Sequence, residues 1–455
     1  MFSKDNLIEE CGDYLPEKER EMLWESLKES PVTSVRLHPL KFKVLNFPVK
    51  ASVPWCREGV YLSERPVFTL DPAFHTGAYY VQEASSMIAG EMVGEVVKNI
   101  KNPVIFDAAS APGGKATHIL EKLNGNGVLV CNEPDGKRFQ TLKGNLTKSG
   151  YVNRVITKNS LEKKINPLPL FDVILLDAPC SGSGMFRKNR EWMAKWKKEW
   201  PKIFSNLQKK IISNLIPFLK PQGVFIYSTC SFSVSENEEN ARFLSDSGME
   251  LLHKSFFSEY ESDGVLINEW GCRFYPHRLA GEGFFITIAQ KSKADNSFAE
   301  YFKSAYTETF EFYKPNIFVR NAEKNEKEYF YLNKVVLDTI RSLSQTGIRV
   351  MEAGLKLGTE KFGSFYPSQE LALAIHIPGE ILKFTDLEIT SDEALFVLKN
   401  KQIKTDLIKD TINPARFMRL TYRNNGLAWV EAQNNGKYRV YLDEFHRIKS
   451  HKLEE

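Results

Sequence analysis

Between residues 100 and 290 short apolar runs alternate with amphipathic segments, and this alternation limits the possible folds more than any other feature. VIFDAAS, GVLVCNE, RVITKNS, FDVILLDAPC, GVFIYSTCS and GFFITIAQ read as strands. GKATHILEKL and GKRFQTLKGNLTKSG, between the first of these, read as helices. A longer helix is expected over about 202–219, and SVSENEENARFL carries capping-box spacing, Ser235 to Glu238 or Ser233 to Glu236. Strands that are apolar nearly throughout are buried on both faces. In a strand–helix alternation that implies an α/β fold with a parallel, doubly wound sheet.

At 455 residues the chain exceeds what one core supports, so more than one domain is expected. LIEECGDYL and EKEREMLWESLKES read as short helices before a strand in TSVRLHPL, giving a small α+β region over 1–70. The sheet domain spans 71–295 and a linking mixed domain 296–376, entered through the charged stretch SKADNSFAEYF. From 377 to 455 the texture is β-rich, and in RLTYRNNGLAWVEAQNNGKYRVYL the NNG triplets are hairpin signals. With 42% apolar and 26% charged residues the chain is globular, not disordered. Its polar, acidic start and the lack of a membrane-length apolar run predict a cytoplasmic protein. Six cysteines with no close pair in sequence argue against a disulfide framework and against zinc.

Net charge is a modest +4, but residues 186–220 hold ten Lys or Arg against two Glu. A local basic patch of this kind points to a polyanionic partner.

Ligands of open α/β sheets lie outside the carboxyl ends of the strands, where four informative loops fall. DAASAPGGKAT (107–117) places glycines between a strand and a helix start, where backbone and free amides can approach a ligand. It is no P-loop, since Ala109 and Ala116 stand where Gly and Ser or Thr are required. Glu133, ending the second strand, is suited to accept from both hydroxyls of a ribose, so an adenosine-bearing cofactor is expected. Cys180 and Cys230 end the fourth and fifth strands. Either alone is more often packing; at neighbouring strand ends the pair calls for a chemical reason.

The ordered set APGGK, NE, DAPCSGSG, STCS and RFYPHRLAGEGFF, preceded by HTGAYYVQEASSM, resembles the Sun/Fmu family of RNA 5-methylcytosine methyltransferases. The C-terminal part resembles the extra region of bacterial RsmF-type small-subunit rRNA enzymes, which ends in a PUA-like module. The resemblance implies a Rossmann-like methyltransferase sheet. It also implies S-adenosyl-L-methionine held by Ala109, Ser110, Ala111, Pro112, Gly113, Gly114, Lys115, Glu133, Asn159 and Asp177. At 159 the family usually carries Asp, so Asn159 would offer adenine an amide. Cys230 is implied as nucleophile, Cys180 as the residue assisting product release, and Asp177 as a contact to the cytosine edge.

The chemistry explains why two thiols belong together. Carbon 5 of cytosine is a weak nucleophile until a thiolate adds to carbon 6; the carbon 5 proton must later leave and the cysteine be expelled. A helix start at SVSENEE is expected to favour the Cys230 thiolate. DNA cytosine methyltransferases use the cysteine of the Pro-Cys loop and lack the second thiol, so STCS favours RNA. For RNA the candidates are Arg187, Lys188, Arg190, Lys195, Lys197 and Lys198, with Arg273, His277 and Arg278 in the loop before the last strand. His277 is as readily structural. Trp192, Trp196 and Trp200 recur every fourth residue as one helix face, more often packing than base stacking. Arg416, Arg419, Arg423, Lys437 and Arg439 lie among aromatics in the C-terminal hairpins. The expected partner is rRNA, possibly within the small ribosomal subunit, met by a monomer needing neither metal nor membrane. A tRNA substrate, or an inactive RNA-binding assembly factor, remains open at this stage.

Overall fold

Two helices, α1 (Lys4–Cys11) and α2 (Glu17–Ser26), precede β1 (Ser34–Leu37), β2 (Val49–Val53) and β3 (Cys56–Leu62). After α3 (Pro72–Thr76), β4 (Tyr79–Val81) completes an antiparallel sheet of order β2-β3-β1-β4. The computed structural model describes residues 2–163, 166, 168, 170–293, 311–314, 316–322, 326–375, 384–403, 416–433 and 437–448. The chain continues through α4 (Ala84–Val97), β5 (Val104–Asp107), α5 (Gly114–Leu123), β6 (Val128–Asn132), α6 (Gly136–Ser149), β7 (Arg154–Thr157) and β8 (Phe171–Asp177). Next come α7 (Arg190–Lys195), α8 (Trp200–Leu215), β9 (Leu219–Thr229), α9 (Glu238–Asp246), β10 (Met249–Leu251) and α10 (His253–Phe257). Short strands β11 (Leu266–Ile267) and β12 (Cys272–Phe274) precede β13 (Phe284–Lys291).

The central strands β9, β8, β5, β6 and β7 are parallel neighbours in that order, with β13 antiparallel to β9. Successive side chains of each strand enter different cores. Ile105, Leu129, Ile156, Val173 and Ile226 pack with α4, α5 and α6 residues such as Met87, Ile119 and Leu142. Val104, Val130, Val155, Ile174 and Phe225 face the other side, with Ile212 of α8 and Leu244 of α9. Burial on both faces is what the unbroken apolar strands demand. The result is a mixed sheet in an α/β fold.

Local sequence also explains two departures from expectation. The tryptophan stripe is not one helix: α7 stops at Lys195, and Trp196 turns to extended backbone (ψ 144°) before α8 begins. Trp196 is buried against Phe2, and Trp192 and Trp200 meet at 4.9 Å, so the indoles pack on the N-terminal helices. The expected capping box does not form either. α9 starts only at Glu238, behind Asn237, whose side chain makes no cap. Glu236 is instead drawn back toward the loops after β8 and β9, where serine hydroxyls and a backbone N–H bind its carboxylate.

The linking segment is not separate from the main sheet. After β14 (Glu311–Lys314), β15 (Ile317–Asn321) and β16 (Lys327–Tyr331), helix α11 (Lys334–Thr346) packs Val336, Ile340 and Leu343 into the core behind β5–β8. Strand β17 (Val350–Ala353) then pairs antiparallel with β7 at the edge of the ten-stranded sheet. β18 (Leu355–Lys361) and β19 (Ser364–Pro367) complete a five-stranded sheet with β14–β16. α12 (Gln369–Leu373) leads on to β20 (Thr385–Glu388), α13 (Ser391–Asn400), β21 (Phe417–Tyr422), β22 (Asn425–Ala432) and β23 (Tyr438–Tyr441); the four strands form a small sheet. At the first NNG, Arg423 and Asn424 take the left-handed turn positions (φ 52° and 62°). Gly426 serves another purpose, because a Cβ there would lie 1.7 Å from the Ala372 carbonyl oxygen. Most of SKADNSFAEYF, the second NNG, and residues 376–383 and 404–415 lie outside the described residues. Among the described residues no helix is long and apolar enough to cross a membrane.

Candidate active site

The chain leaves β5 toward β6 and β7, then returns to place β8 on the other side of β5. This is the topological switch point at which α/β sheets bind ligands. The loop after β5 is tied to β6, since the Ser110 N–H donates to the Asn132 carbonyl at 3.0 Å and the Ser110 hydroxyl to the Asp107 carbonyl at 2.8 Å. Gly113, at φ 113°, makes the turn into α5 that a side chain would resist. Beneath the loop Asp107 is fully buried, and neither carboxylate oxygen accepts a hydrogen bond. Burial, helped by the nearby Asp177 charge, pushes its pKa up to about 7.

At the end of β6, Glu133 is also buried. One of its oxygens accepts from the Asp135 N–H at 2.9 Å; the other accepts no hydrogen bond, with the Arg138 guanidinium 3.5 Å away. Asn159, after β7, is committed elsewhere. Its carboxamide oxygen accepts from the Arg349 N–H at 3.1 Å and its amide nitrogen faces the Arg349 carbonyl at 3.5 Å. The expected side-chain contact to adenine is therefore taken by the turn before β17.

β8 and β9 align Asp177 with Ser228, which brings the two cysteine loops side by side. The sulfurs of Cys180 and Cys230 are 3.3 Å apart. Three loops close on one another here, the Gly184 N–H donating to the Cys230 carbonyl (2.9 Å) and the Gly283 N–H to the Gly184 carbonyl (3.0 Å). A Cβ on Gly184 would stand 2.5 Å from the Gly283 oxygen, so glycine is required by the approach. Asp177 accepts from Lys115 Nζ at 2.7 Å on one oxygen and from the Ser228 hydroxyl at 2.9 Å on the other. Lys115 stands at the first turn of α5, so it joins the β5 loop to the end of β8.

These groups surround a cavity of about 370 Å³. Ala109, Ser110, Ala111, Pro112, Gly114, Lys115, Asp177 and Cys230 line it; Gly113, Glu133, Asn159 and Cys180 do not. Cys230 thus faces the cavity, with Cys180 beside it. The hydrogen bond that its S–H donates to Cys230, and then burial, hold the Cys180 thiol well above its ordinary pKa, so it stays protonated near neutrality. The expected helix start beside Cys230 is absent, because α9 begins eight residues on. The cation that shares the cavity with Cys230 is Lys115.

Tyr80, Gln82, Ser86, Met185 and Phe284 also line the cavity and were not singled out from sequence, although HTGAYYVQEASSM and GEGFF contain most of them. Fully buried Arg36 from β1 supports this wall: it binds Gln82, Gly114 (3.0 Å), Thr117 (2.8 Å) and Glu121 (2.8 and 2.9 Å). Elsewhere, ligand atoms of Cys56, Glu91 and His118 lie within 4.8 Å of one another, a set that could hold a metal ion, but Glu91 is already bound by His118 at 3.1 Å and Lys122 at 2.8 Å.

Among the expected RNA contacts, three are corrected. Arg187 is buried and paired with Glu282 at 3.1 Å, also donating to the Gly281 carbonyl at 2.6 Å. Arg273 is buried between Glu238 and the Phe232 carbonyl. The His277 side chain is 3% exposed, its Nε2 is 3.1 Å from Glu19, and burial lowers its pKa. Each is consumed by internal partners. Lys188 and Arg190 are exposed, and Arg278 is partly so beside Glu19 at 3.6 Å. Lys195, Lys197 and Lys198 are exposed too, Lys198 pairing with Glu9 at 2.6 Å. In the C-terminal sheet Arg416 pairs with Glu431 (2.9 Å) and Arg419 with Asp386 (2.6 Å), while Arg423 donates to the Val44 carbonyl at 2.7 Å.

Residues 95–290 match the family described as 16S rRNA methyltransferase RsmB/F, and residues 4–84 match the N-terminal domain of 16S rRNA methyltransferase RsmF. The ribosomal RNA small subunit methyltransferase F of Psychromonas ingrahamii is 32% identical over 277 residues, covering 57% of each chain. That of Photobacterium profundum is 32% identical over 309 residues, covering 64% of each. The chain therefore spans less than two thirds of the length of these curated relatives. A solved methyltransferase homolog from Pyrococcus horikoshii is 27% identical, with a TM-score of 0.51 over 63% of this chain and 93% of that one.

Proposed function

Because its residues 95–290 belong to the RsmB/F methyltransferase family, we propose that this chain is an S-adenosyl-L-methionine-dependent RNA cytosine-5 methyltransferase. Its proposed substrate is small-subunit rRNA. One observation carries the reading: two thiols 3.3 Å apart, one of them lining the cavity that Asp177, Lys115 and the 109–115 loop also line.

The cofactor fits the residues present. Buried acceptors without hydrogen bonds, both oxygens of Asp107 and one of Glu133, await a ligand that brings donors, as an amino acid ammonium and a ribose do. The loop from Ala109 to Lys115 and Glu133 would hold it; Asn159 is engaged by Arg349 through its side chain and by Asn132 through its backbone. When bound, this group supplies an electrophilic methyl.

The remaining work falls to side chains of the chain itself. Cys230 adds as thiolate to carbon 6 of a cytosine in the cavity, which makes carbon 5 nucleophilic. Asp177, held by Lys115 and Ser228, offers its carboxylate to the exocyclic amino group of the cytosine and orients the ring, while the Lys115 ammonium beside it offsets the negative charge that addition builds there. After methylation a water positioned beside Cys180 takes the carbon 5 proton, the electrons of that C–H bond restore the ring double bond, and Cys230 leaves with the C–S pair as a thiolate. Cys180, kept protonated beside it, assists that expulsion by donating a hydrogen bond to the departing thiolate.

A base in this cavity must be unstacked, at a cost of a few kcal/mol. Exposed Lys188, Arg190, Lys195 and Lys197, directly after the Cys180 loop, are proposed to meet phosphates and offset it. The C-terminal sheet is proposed as a PUA-like RNA-binding module and the protein as a cytoplasmic monomer. Incubation with tritiated cofactor and small-subunit rRNA or tRNA from cells lacking this gene tests the reading. Label confined to cytosine of the rRNA supports it; label in tRNA alone, or in neither, rejects the substrate or the activity.

A further inference from the structure

The residues that follow the two thiols share one buried acceptor. Ser181, next after Cys180, donates its backbone N–H to Glu236 Oε1 at 2.8 Å and its hydroxyl to Glu236 Oε2. Ser231, next after Cys230, donates its hydroxyl to the same Oε2 at 2.6 Å. The two serine oxygens are themselves 3.1 Å apart. Gln208 of α8 completes the arrangement, donating to Oε1 at 3.1 Å while its own oxygen accepts from Asn240 at 2.6 Å.

Glu236 is 0% exposed, and the groups bonding it are neutral. Burying a carboxylate among neutral donors is costly, and an apolar side chain would serve packing alone as well. Its bonds do not stabilise the start of α9, which lies just beyond it. They go, in each loop, to the residue that directly follows a working cysteine. The Glu236 charge also contributes to keeping the Cys180 thiol protonated.

We propose that Glu236 is a positioning residue that pins both cysteine loops to one point and thereby sets the separation of the Cys180 and Cys230 sulfurs. It acts through Ser181 and Ser231, not on substrate. The proposal deepens the function given above and rests on its reading of the two thiols as partners.

A test independent of turnover uses the full chain without RNA or cofactor. Diamide accepts two electrons and two protons as a pair of thiols closes to a disulfide, and peptide mass mapping under non-reducing conditions reports the Cys180–Cys230 link. Glu236→Ala is expected to close on the order of tenfold more slowly than wild type, since sulfur alignment is lost. Glu236→Gln is expected to restore the rate, because serine hydroxyls can donate or accept. Closure at the wild-type rate in a folded Glu236→Ala protein, judged by its circular dichroism, overturns the proposal. Should that variant not fold, the single arms decide. Ser231→Ala is expected to slow formation of the covalent RNA adduct, and Ser181→Ala to slow its decay; equal effects, or none, overturn the proposal. A wild-type protein that closes the disulfide but methylates nothing rejects the function and leaves the positioning result standing.

Discussion

The sulfurs of Cys180 and Cys230 stand 3.3 Å apart, yet only Cys230 lines the cavity. On the proposed function, that asymmetry favours Cys230 as the attacking thiol and Cys180 as the one that assists release. Cys230→Ala is expected to abolish methyl transfer and to leave no RNA attached to protein on denaturing gels. Cys180→Ala is expected to attack but stall, accumulating a denaturation-resistant protein–RNA complex. The reverse pattern would exchange the two roles.

Lys115 is the cation of the cavity, 2.7 Å from Asp177 and 5.2 Å from the ring centre of Phe284. Burial works against its charge, but Asp177 outweighs burial and raises its pKa. Without it, Asp177 would keep Ser228 as a donor and face the buried Asp107 uncompensated. Lys115→Met is therefore expected to lower kcat on the order of a hundredfold, an effect of the size found when a positioned charge-stabilising donor is removed. Single-turnover methylation with saturating cofactor, beside a thermal melt of the same variant, measures it.

Much of this site was legible in the chain because strand ends are local features. Apolar runs ending in Asp107, Glu133, Asp177 and Cys230 place those residues at one sheet edge by topology alone. What could not be read was which charges would be buried. Arg187, Arg190 and Lys188 are neighbours in sequence, yet only Arg187 finds a carboxylate, Glu282, nearly a hundred positions away. The capping-box spacing failed for a similar reason. Ser233 and Glu236 have the correct interval, but Ser181 and Ser231 compete for the carboxylate, and they arrive by tertiary folding. Strand β17 was equally hidden, since a short edge strand announces no partner and takes its place on β7 only through α11.

The pKa of Asp107, raised to about 7 by burial and by Asp177, makes stability depend on pH. Above the usual aspartate range and below about pH 7, the folded chain holds a proton that the unfolded chain has lost. The contribution of this group therefore falls as pH rises through that window and levels off above it. Asp107→Asn, which cannot ionise, is expected to gain in melting temperature relative to wild type between about pH 5 and about pH 8 in ligand-free protein. A difference that does not change with pH would mean that Asp107 is ionised throughout.

The buried and exposed cations should separate cleanly in experiment. Arg273 and Glu238 are each 1% exposed and hydrogen-bonded to one another, so Arg273→Ala leaves a buried carboxylate without its cation. Breaking such a pair costs about 3–5 kcal/mol, and the variant is expected to melt well below wild type. Lys188 is exposed, and Lys188→Ala is expected to leave the melting temperature almost unchanged. Its effect should lie in RNA affinity, weakened alike across sequences, with the slope of log affinity against log salt reduced by about one. Filter binding over a salt series measures that slope. An unchanged slope for Lys188→Ala would reject its proposed contact with RNA, and an unchanged melting temperature for Arg273→Ala would mean that its pair with Glu238 does not hold the fold.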